Sequence, residues 1–270
     1  MRINTNVNAL IAVNQMSKNT ALQGNSMEKL STGLRINKAA DDAAGLAISE
    51  KMRAQIRGME QADRNVQDGI SMIQTAEGAL EEAGNIAQRM RELAIQGAND
   101  TNTSDDRAKI QSELDALGKE MSSIASDTKF NERNLLDGST TGMTLQAGAN
   151  HEARGISLVN LTAIAKTLVN VNVSTHANAS TAINTISDAL ASINEARSDL
   201  GAMQNRLEYT SSNLQTSGEN LTTAESRIRD VDVAKEMIKL SKLNIITQAS
   251  QSMAAQAKQQ PQGVMQLLQG

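Results

Sequence analysis

ISDALASINEARSDLGAMQNRLEYTSSNLQTSGENLTTAESRI, residues 186–228, carries a large aliphatic side chain at every seventh position: Ile186, Ile193, Leu200, Leu207, Leu214, Leu221 and Ile228. An α-helix returns every seventh residue to nearly the same face, so this ladder marks one long helix with a continuous apolar seam. Three residues after each rung stand Ala189, Ala196, Met203, Thr210, Ser217, Ala224 and Val231, most of them small or weakly polar. At 1.5 Å per residue the seam is roughly 65 Å long. A globule does not bury so long a stripe. Partner helices of similar length are required, and the expected fold is a mainly all-α, elongated bundle with coiled-coil-like packing.

The rest of the composition agrees. Phe130 and Tyr209 are the only aromatic residues among 270, there is no Trp, and the single proline is Pro261. Thick globular cores draw much of their buried area from aromatic rings, whereas Ala, Leu, Ile, Val and Met suit thin helix–helix seams. The absence of cysteine excludes disulfides, thiolate metal sites and a cysteine nucleophile. The N-terminal residues lack the apolar core of a secretory signal, and no run reaches the length of a membrane span.

Charge is unevenly spread. Residues 1–40 hold five basic side chains and one acidic, residues 232–270 hold four lysines and two acids, and the whole chain carries −4, so the middle carries about −10. Weakly basic, amphipathic ends on an acidic body imply that the ends meet a different environment, either the inside of an assembly or a membrane surface.

Read from the start, Ile3, Val7, Leu10, Ile11, Met27, Leu30 and Leu34 form a first helical stripe over 3–36, softened by Gly24 and Gly33. Asp41 and Asp42 suit the N-cap of a helix over about 43–98, whose stripe is Met52, Ile56, Met59, Val66, Ile70, Ile73, Leu80, Ala83, Ala87, Met90 and Ala94. Gly97-Ala98-Asn99-Asp100 stops it, and Thr103 with Asp106 has capping-box spacing before a helix carrying Ile110, Leu114, Leu117, Met121 and Ile124. From 127 to about 180 the helical pattern lapses into Gly-, Thr-, Ser- and Asn-rich sequence. There Met143–Ala147 and Gly155–Val159 suit a β-hairpin around Gly148-Ala149-Asn150. His151 and His176 fall in this region as solvated loop residues, with no paired spacing for a metal. Asn160, Asn172 and Asn178 open Asn-x-Ser/Thr triplets that such a stretch produces by chance. After the ladder a last helix runs from about 232 to 259, with Val233, Met237, Ile238, Leu243, Ile245, Ile246, Ala249 and Met253, and Pro261 follows it.

Two marginal terminal helices with apolar stripes and no core of their own would be partly disordered in a lone subunit. They order by packing on copies of themselves. A head-to-tail contact that does not close into a ring generates a helical filament. The self-assembly residues expected on this reading are Val7, Leu10, Leu30, Leu34, Ile238, Ile245, Ile246 and Met253, and the ladder is the intrachain seam.

Several blocks carry a family resemblance. INTNVNAL (3–10), LSTGLRIN (30–37), DDAAGLAI (41–48), QIRGMEQADRNVQDGISMIQTAEGAL (55–80) and QRMRELAIQGAN (88–99) stand in the first half. LGAMQNRLEYTSSNL (200–214), ENLTTAESRIRDVDVAKE (219–236) and QQPQGVMQLL (259–268) stand in the second. With these blocks the chain resembles bacterial flagellin over nearly its whole length, in a short form without large outer domains. The resemblance implies a subunit that polymerises into the tubular flagellar filament outside the cell and serves swimming motility. It implies an inner terminal-helix domain from 1–42 and 232–270, and a helical domain over 43–231 that includes the irregular region 127–180. It also implies type III export without a cleaved signal, and as partners further copies of the chain, an export chaperone on the C-terminal helices, the filament cap and hook–filament junction proteins. In some flagellins an animal Toll-like receptor recognises an arginine, a leucine and a downstream glutamate, and the matching residues are Arg89, Leu93 and Glu113. Two departures stand out: Glu132 in FNERNLLDG replaces the family's usual glycine, and Ala254 in SMAAQAKQQ replaces a leucine.

Other classes fare worse. A hook–filament junction protein would share the terminal helices, but the match through 88–99 and the lack of an extra domain favour the filament subunit. A membrane-surface binder would show Trp, Phe and a dense Lys/Arg face on its amphipathic ends. An enzyme would show a nucleophile–base pair, a phosphate loop or metal-ligand spacing, and none is present, so no catalytic residue, cofactor or metal is expected. Nucleic-acid binding does not suit an acidic chain with almost no stacking rings.

Overall fold

The structure, a computed structural model, describes residues 6–140, 142–150 and 152–269, without the side chains of 260–269. Ile3 and His151 lie outside the described residues. Among those described there are six helices and two small hairpins: α1 (Val7–Thr32), α2 (Ala43–Gly97), α3 (Ser104–Asp127), β1 (Lys129–Phe130), β2 (Arg133–Asn134), β3 (Met143–Gln146), β4 (Ala153–Ile156), α4 (Leu161–Val169), α5 (His176–Arg229) and α6 (Val233–Gln269). The fold is mainly α with a β-hairpin in the middle of the chain. It forms two compact units, one of residues 55–219 and the other of residues 1–54 with 220–270. The divisions fall inside α2 and α5.

The middle unit holds one apolar core. Val66, Ile73, Leu80, Ala83, Ala87, Met90 and Ala94 of α2 meet Ile110, Leu114 and Met121 of α3, Leu161, Ala165 and Leu168 of α4, and Ile186, Ile193, Leu200, Leu207 and Leu214 of α5. The first five rungs of the ladder are therefore buried, while Leu221 and Ile228, in the terminal unit, are half-buried. Helix caps match the residue types. Asp42 Oδ1 accepts from the Gly45 amide at 2.9 Å, and Thr103 with Asp106 forms a complete capping box at α3. Replacing Thr103 by Ala should cost about 1 kcal/mol of middle-unit stability in urea denaturation.

The irregular region contains more order than its composition suggests. The hairpin pairs Met143 with Ile156 and Gln146 with Ala153, so its second strand lies two residues earlier than expected and ends at Ile156. The Ala147 amide donates to the Glu152 carbonyl at 2.9 Å, which sets the register. Helix α4 is an unexpected element. Asn160 caps it through a bond from the Ala163 amide, and it seats on α3 because Gly118 has no side chain: a Cβ there would lie 3.2 Å from the Val169 Cα. Asn172 likewise accepts from the Ser174 amide at 2.7 Å.

The turn between β1 and β2 places Asn131 at φ 48° and Glu132 at φ 65°. Both central residues are left-handed, the geometry of the tightest hairpin turn. Glu132 pays a steric penalty that glycine avoids, so the turn is in place but strained. Glu132→Gly should stabilise the middle unit by about 1 kcal/mol, read as a higher urea midpoint with unchanged slope.

Helix α6 does not stop before Pro261 but continues to Gln269. Proline's φ is compatible with a helix, and what it removes is one amide donor. His176 is also not a loop residue. It is the first residue of α5, with its ring Nδ1 2.7 Å from the Ala98 carbonyl oxygen. That oxygen only accepts, so Nδ1 carries the proton.

Candidate assembly surface

The terminal unit is built from α1 and α6 together with the adjoining ends of α2 and α5. Asn6 caps α1, its Oδ1 accepting from the Ala9 amide at 3.0 Å, and Gly33 at φ 72° ends the helix in the left-handed conformation that glycine favours. The chain then pairs briefly with the segment that follows α5. The Arg35 amide donates to the Arg229 carbonyl at 2.6 Å, and the Val231 amide to the Gly33 carbonyl at 3.0 Å. The Arg35 guanidinium also reaches the Ile228 carbonyl. Arg229 is nearly buried and binds Glu50 of α2 at 2.5 Å. Both connections between helices are thereby pinned in one place.

Helices α1 and α6 lie antiparallel, as three side-chain contacts show. Asn6 Nδ2 donates to the Ala257 carbonyl at 2.6 Å, Asn19 Nδ2 to Ser250 Oγ at 3.3 Å, and Gln23 Nε2 to Asn244 Oδ1 at 2.6 Å. The covered positions of α1 are Ala9, Ala12, Met16, Asn19, Gln23, Ser26 and Leu30, and those of α6 are Glu236, Leu240, Leu243, Thr247, Ser250, Ala254 and Ala257. Both sets step by three and four, the spacing of a coiled-coil seam. The seam is made largely of small and polar side chains. The apolar residues picked out by periodicity lie mostly elsewhere: Val7, Leu10, Ile11 and Met27 of α1, and Val233, Met237, Ile238, Ile245 and Met253 of α6, are exposed, Ile238 by 71%, and so are Val13 and Leu22, which periodicity did not mark. On α6, Met237, Ile238, Ile245 and Ile246 line a shallow apolar groove with Ser241 and Lys242. Leu30, Leu34 and Ile246 are half-buried within the unit.

The sequence did not single out the polar seam. Asn19 and Ser26 are both buried, seven residues apart on α1. Glu236, also covered, lies across from Ser26. Burial pushes its carboxyl upward, but the Ser26 hydroxyl and the Lys239 ammonium favour the charged form, with Lys29 adding to them, and the net shift is downward. Ser26 Oγ does not meet standard hydrogen-bond geometry, so its influence is best described as a close polar contact; Lys239 Nζ is 3.0 Å from the carboxylate. A carboxyl whose folded pKa lies below its unfolded value of 4.5 stabilises the fold above that pH and loses its contribution as pH falls through the folded value. Acidification below about pH 4.5 should therefore loosen the α1–α6 pair, seen as faster amide exchange in both helices. Glu236→Gln should flatten that pH dependence.

Arg89 and Glu113 are brought together, with a 3.0 Å ion pair between α2 and α3, and Glu92 lies 3.1 Å from the same guanidinium. Leu93 does not join them at the surface. It is 2% exposed and belongs to the middle-unit core, because the three-to-four spacing that brings it near Arg89 also turns it towards the other helices. Among the described residues no group of three His, Asp or Glu side chains is placed to hold a metal ion, and no helix is long and apolar enough to cross a membrane.

Two family models match the chain: the bacterial flagellin N-terminal helical region over residues 3–141, and the bacterial flagellin C-terminal helical region over residues 183–268. The chain is 54% identical to a flagellin of Halalkalibacterium halodurans, with 99% of this chain and 100% of that one covered. It is 48% identical to a flagellin of Bacillus subtilis, with the same shares covered. Among solved structures it resembles a Bacillus cereus flagellin with a TM-score of 0.52 and 30% identity, over 60% of this chain and 94% of that one. A Vibrio parahaemolyticus protein described as a putative flagellar hook-associated protein aligns with a TM-score of 0.59 at 14% identity, over 70% of this chain and 100% of that one, which is a likeness of fold alone.

Proposed function

The chain belongs to the bacterial flagellin family, and from that premise we propose that its terminal helices α1 and α6 carry the contacts by which it polymerises. It is a structural subunit of the flagellar filament, an extracellular polymer of self-associating copies that serves motility, and not an enzyme. One observation supports the assignment of assembly to the ends above all others. The α1–α6 pair closes through a largely small and polar seam and leaves most of its aliphatic side chains outside. Exposed apolar area is worth about 25 cal/mol per Å² when a neighbouring copy covers it. Val7, Leu10, Ile238, Ile245 and Met253 are the residues that a neighbour covers, and Leu30, Leu34 and Ile246 support them from the half-buried edge. Electron microscopy of purified protein after seeding tests this. Filaments should form from the full chain, and Ile238→Asp with Ile245→Asp should prevent them.

The same premise extends to the partners. The subunit leaves the cell through the flagellar type III apparatus with its N-terminus uncut, an export chaperone shields the exposed stripe of α6 beforehand, and growth proceeds between hook–filament junction proteins and the filament cap. The intact mass of filament protein tests the uncut N-terminus. An animal Toll-like receptor would meet the polar pair Arg89 and Glu113, with Leu93 holding α2 in place from beneath. Arg89→Ala should then weaken receptor activation without altering the subunit's unfolding midpoint.

A further inference from the structure

Pro261 lies inside α6 and has no amide hydrogen, so the carbonyl four residues before it, that of Ala257, lacks the i→i−4 bond that a regular helix would give it. Asn6 Nδ2 donates to that oxygen at 2.6 Å, while Oδ1 of the same side chain caps α1 by accepting from the Ala9 amide at 3.0 Å. One amide thus closes two gaps, an orphan donor at the start of α1 and an orphan acceptor near the end of α6. Ser and Asp cap a helix as well as Asn does, but Asp has no donor to offer and Ser lacks the reach.

We propose that Asn6 and Pro261 together set the axial register of α1 on α6, Asn6 acting as the positioning residue. Beyond the Asn19–Ser250 and Gln23–Asn244 contacts, towards the start of α1, the seam by itself offers little that fixes register. Its positions near the ends are alanines, Ala9 and Ala12 on α1 and Ala254 and Ala257 on α6. A slip of one turn, about 5.4 Å, replaces small residues by small residues. A regular helix offers no preferred turn, because every interior carbonyl already has its own amide. Proline breaks that equivalence at one point, and only one register places Asn6 against it. A single polar contact in a seam is a known way of fixing register. Register matters because it decides which residues of the two outer stripes stand side by side.

The chain has no cysteine, so a pair introduced at the Asn19–Ser250 contact reads register directly. In full-length, unassembled Asn19→Cys/Ser250→Cys subunit, equilibrated with glutathione, the effective concentration of the two thiols reports how often the native register is occupied. Adding Asn6→Ser should lower it about tenfold, the effect expected when a partly buried acceptor loses its side-chain donor. In a Pro261→Ala background, where the new amide closes the helical bond to the Ala257 carbonyl, Asn6→Ser should change it by less than twofold. An equal loss in both backgrounds would show that Asn6 acts only as a cap, and no loss in the first would show that it sets nothing; either result overturns the proposal. Because the measurement is made before assembly, its failure leaves the polymerisation reading untouched, and a failure of that reading leaves the register result standing.

Discussion

A chain trimmed of both terminal helices, residues 33–232, is expected to fold and to form no filaments at any concentration at which the full chain does. The core of the middle unit is complete without α1 and α6: every buried residue in it, from Ala62 on α2 to Leu214 on α5, lies between the trimmed ends. The removed segments instead carry most of the aliphatic residues left uncovered, from Val7 to Met27 and from Val233 to Met253. Removal of either helix alone should have nearly the same effect, since each covers the other's polar seam and a lone amphipathic helix is marginal in water. Circular dichroism and cooperative thermal unfolding establish the fold of the trimmed chain, and sedimentation with microscopy reads assembly. Filaments of ordinary appearance from the doubly trimmed chain would sink the assignment of polymerisation to the ends.

Ile193→Asp should unfold the middle unit outright. Ile193 is fully buried on the second rung of the ladder, and α2 approaches it closely at Gly84, whose absent Cβ would lie 3.9 Å from Ile193 Cγ2. An unpaired carboxylate in that seam costs several kcal/mol, comparable with the whole stability of a domain of this size. Ile193→Ala, which removes volume without adding charge, should cost about 3 kcal/mol. Tyr209, two residues beyond the Leu207 rung, gives the contrast: it is 78% exposed, and Tyr209→Ala should change stability by less than about 0.5 kcal/mol. Urea unfolding of the three variants separates these outcomes. A folded Ile193→Asp protein would mean that the ladder does not hold the unit together.

Legibility in the sequence followed the range of the interactions. Helices α2, α3 and α5 were readable to within a few residues because their apolar period is a property of the local chain, and the Thr103–Asp106 box was readable because a cap is built from neighbours. Helix α4 was not. Its nine residues hold too few turns to show a period, and what fixes it is the space above Gly118 on a helix distant in sequence. The same holds for the end of α6. Pro261 reads as a stop, and the helix continues past it with the stranded carbonyl taken by Asn6, more than 250 positions away.

By itself, then, the sequence determined that this protein is a set of long helices with a heptad seam and sticky ends, since periodicity, caps and composition act over one or two turns. Only the tertiary structure decided which face of each terminal helix is the inner one. Periodicity identifies an apolar stripe but not what covers it. Here the complementary small and polar faces of α1 and α6 meet, with Glu236 held charged among Ser26, Lys29 and Lys239. The aliphatic stripes are left outside, where a neighbouring subunit is needed to bury them.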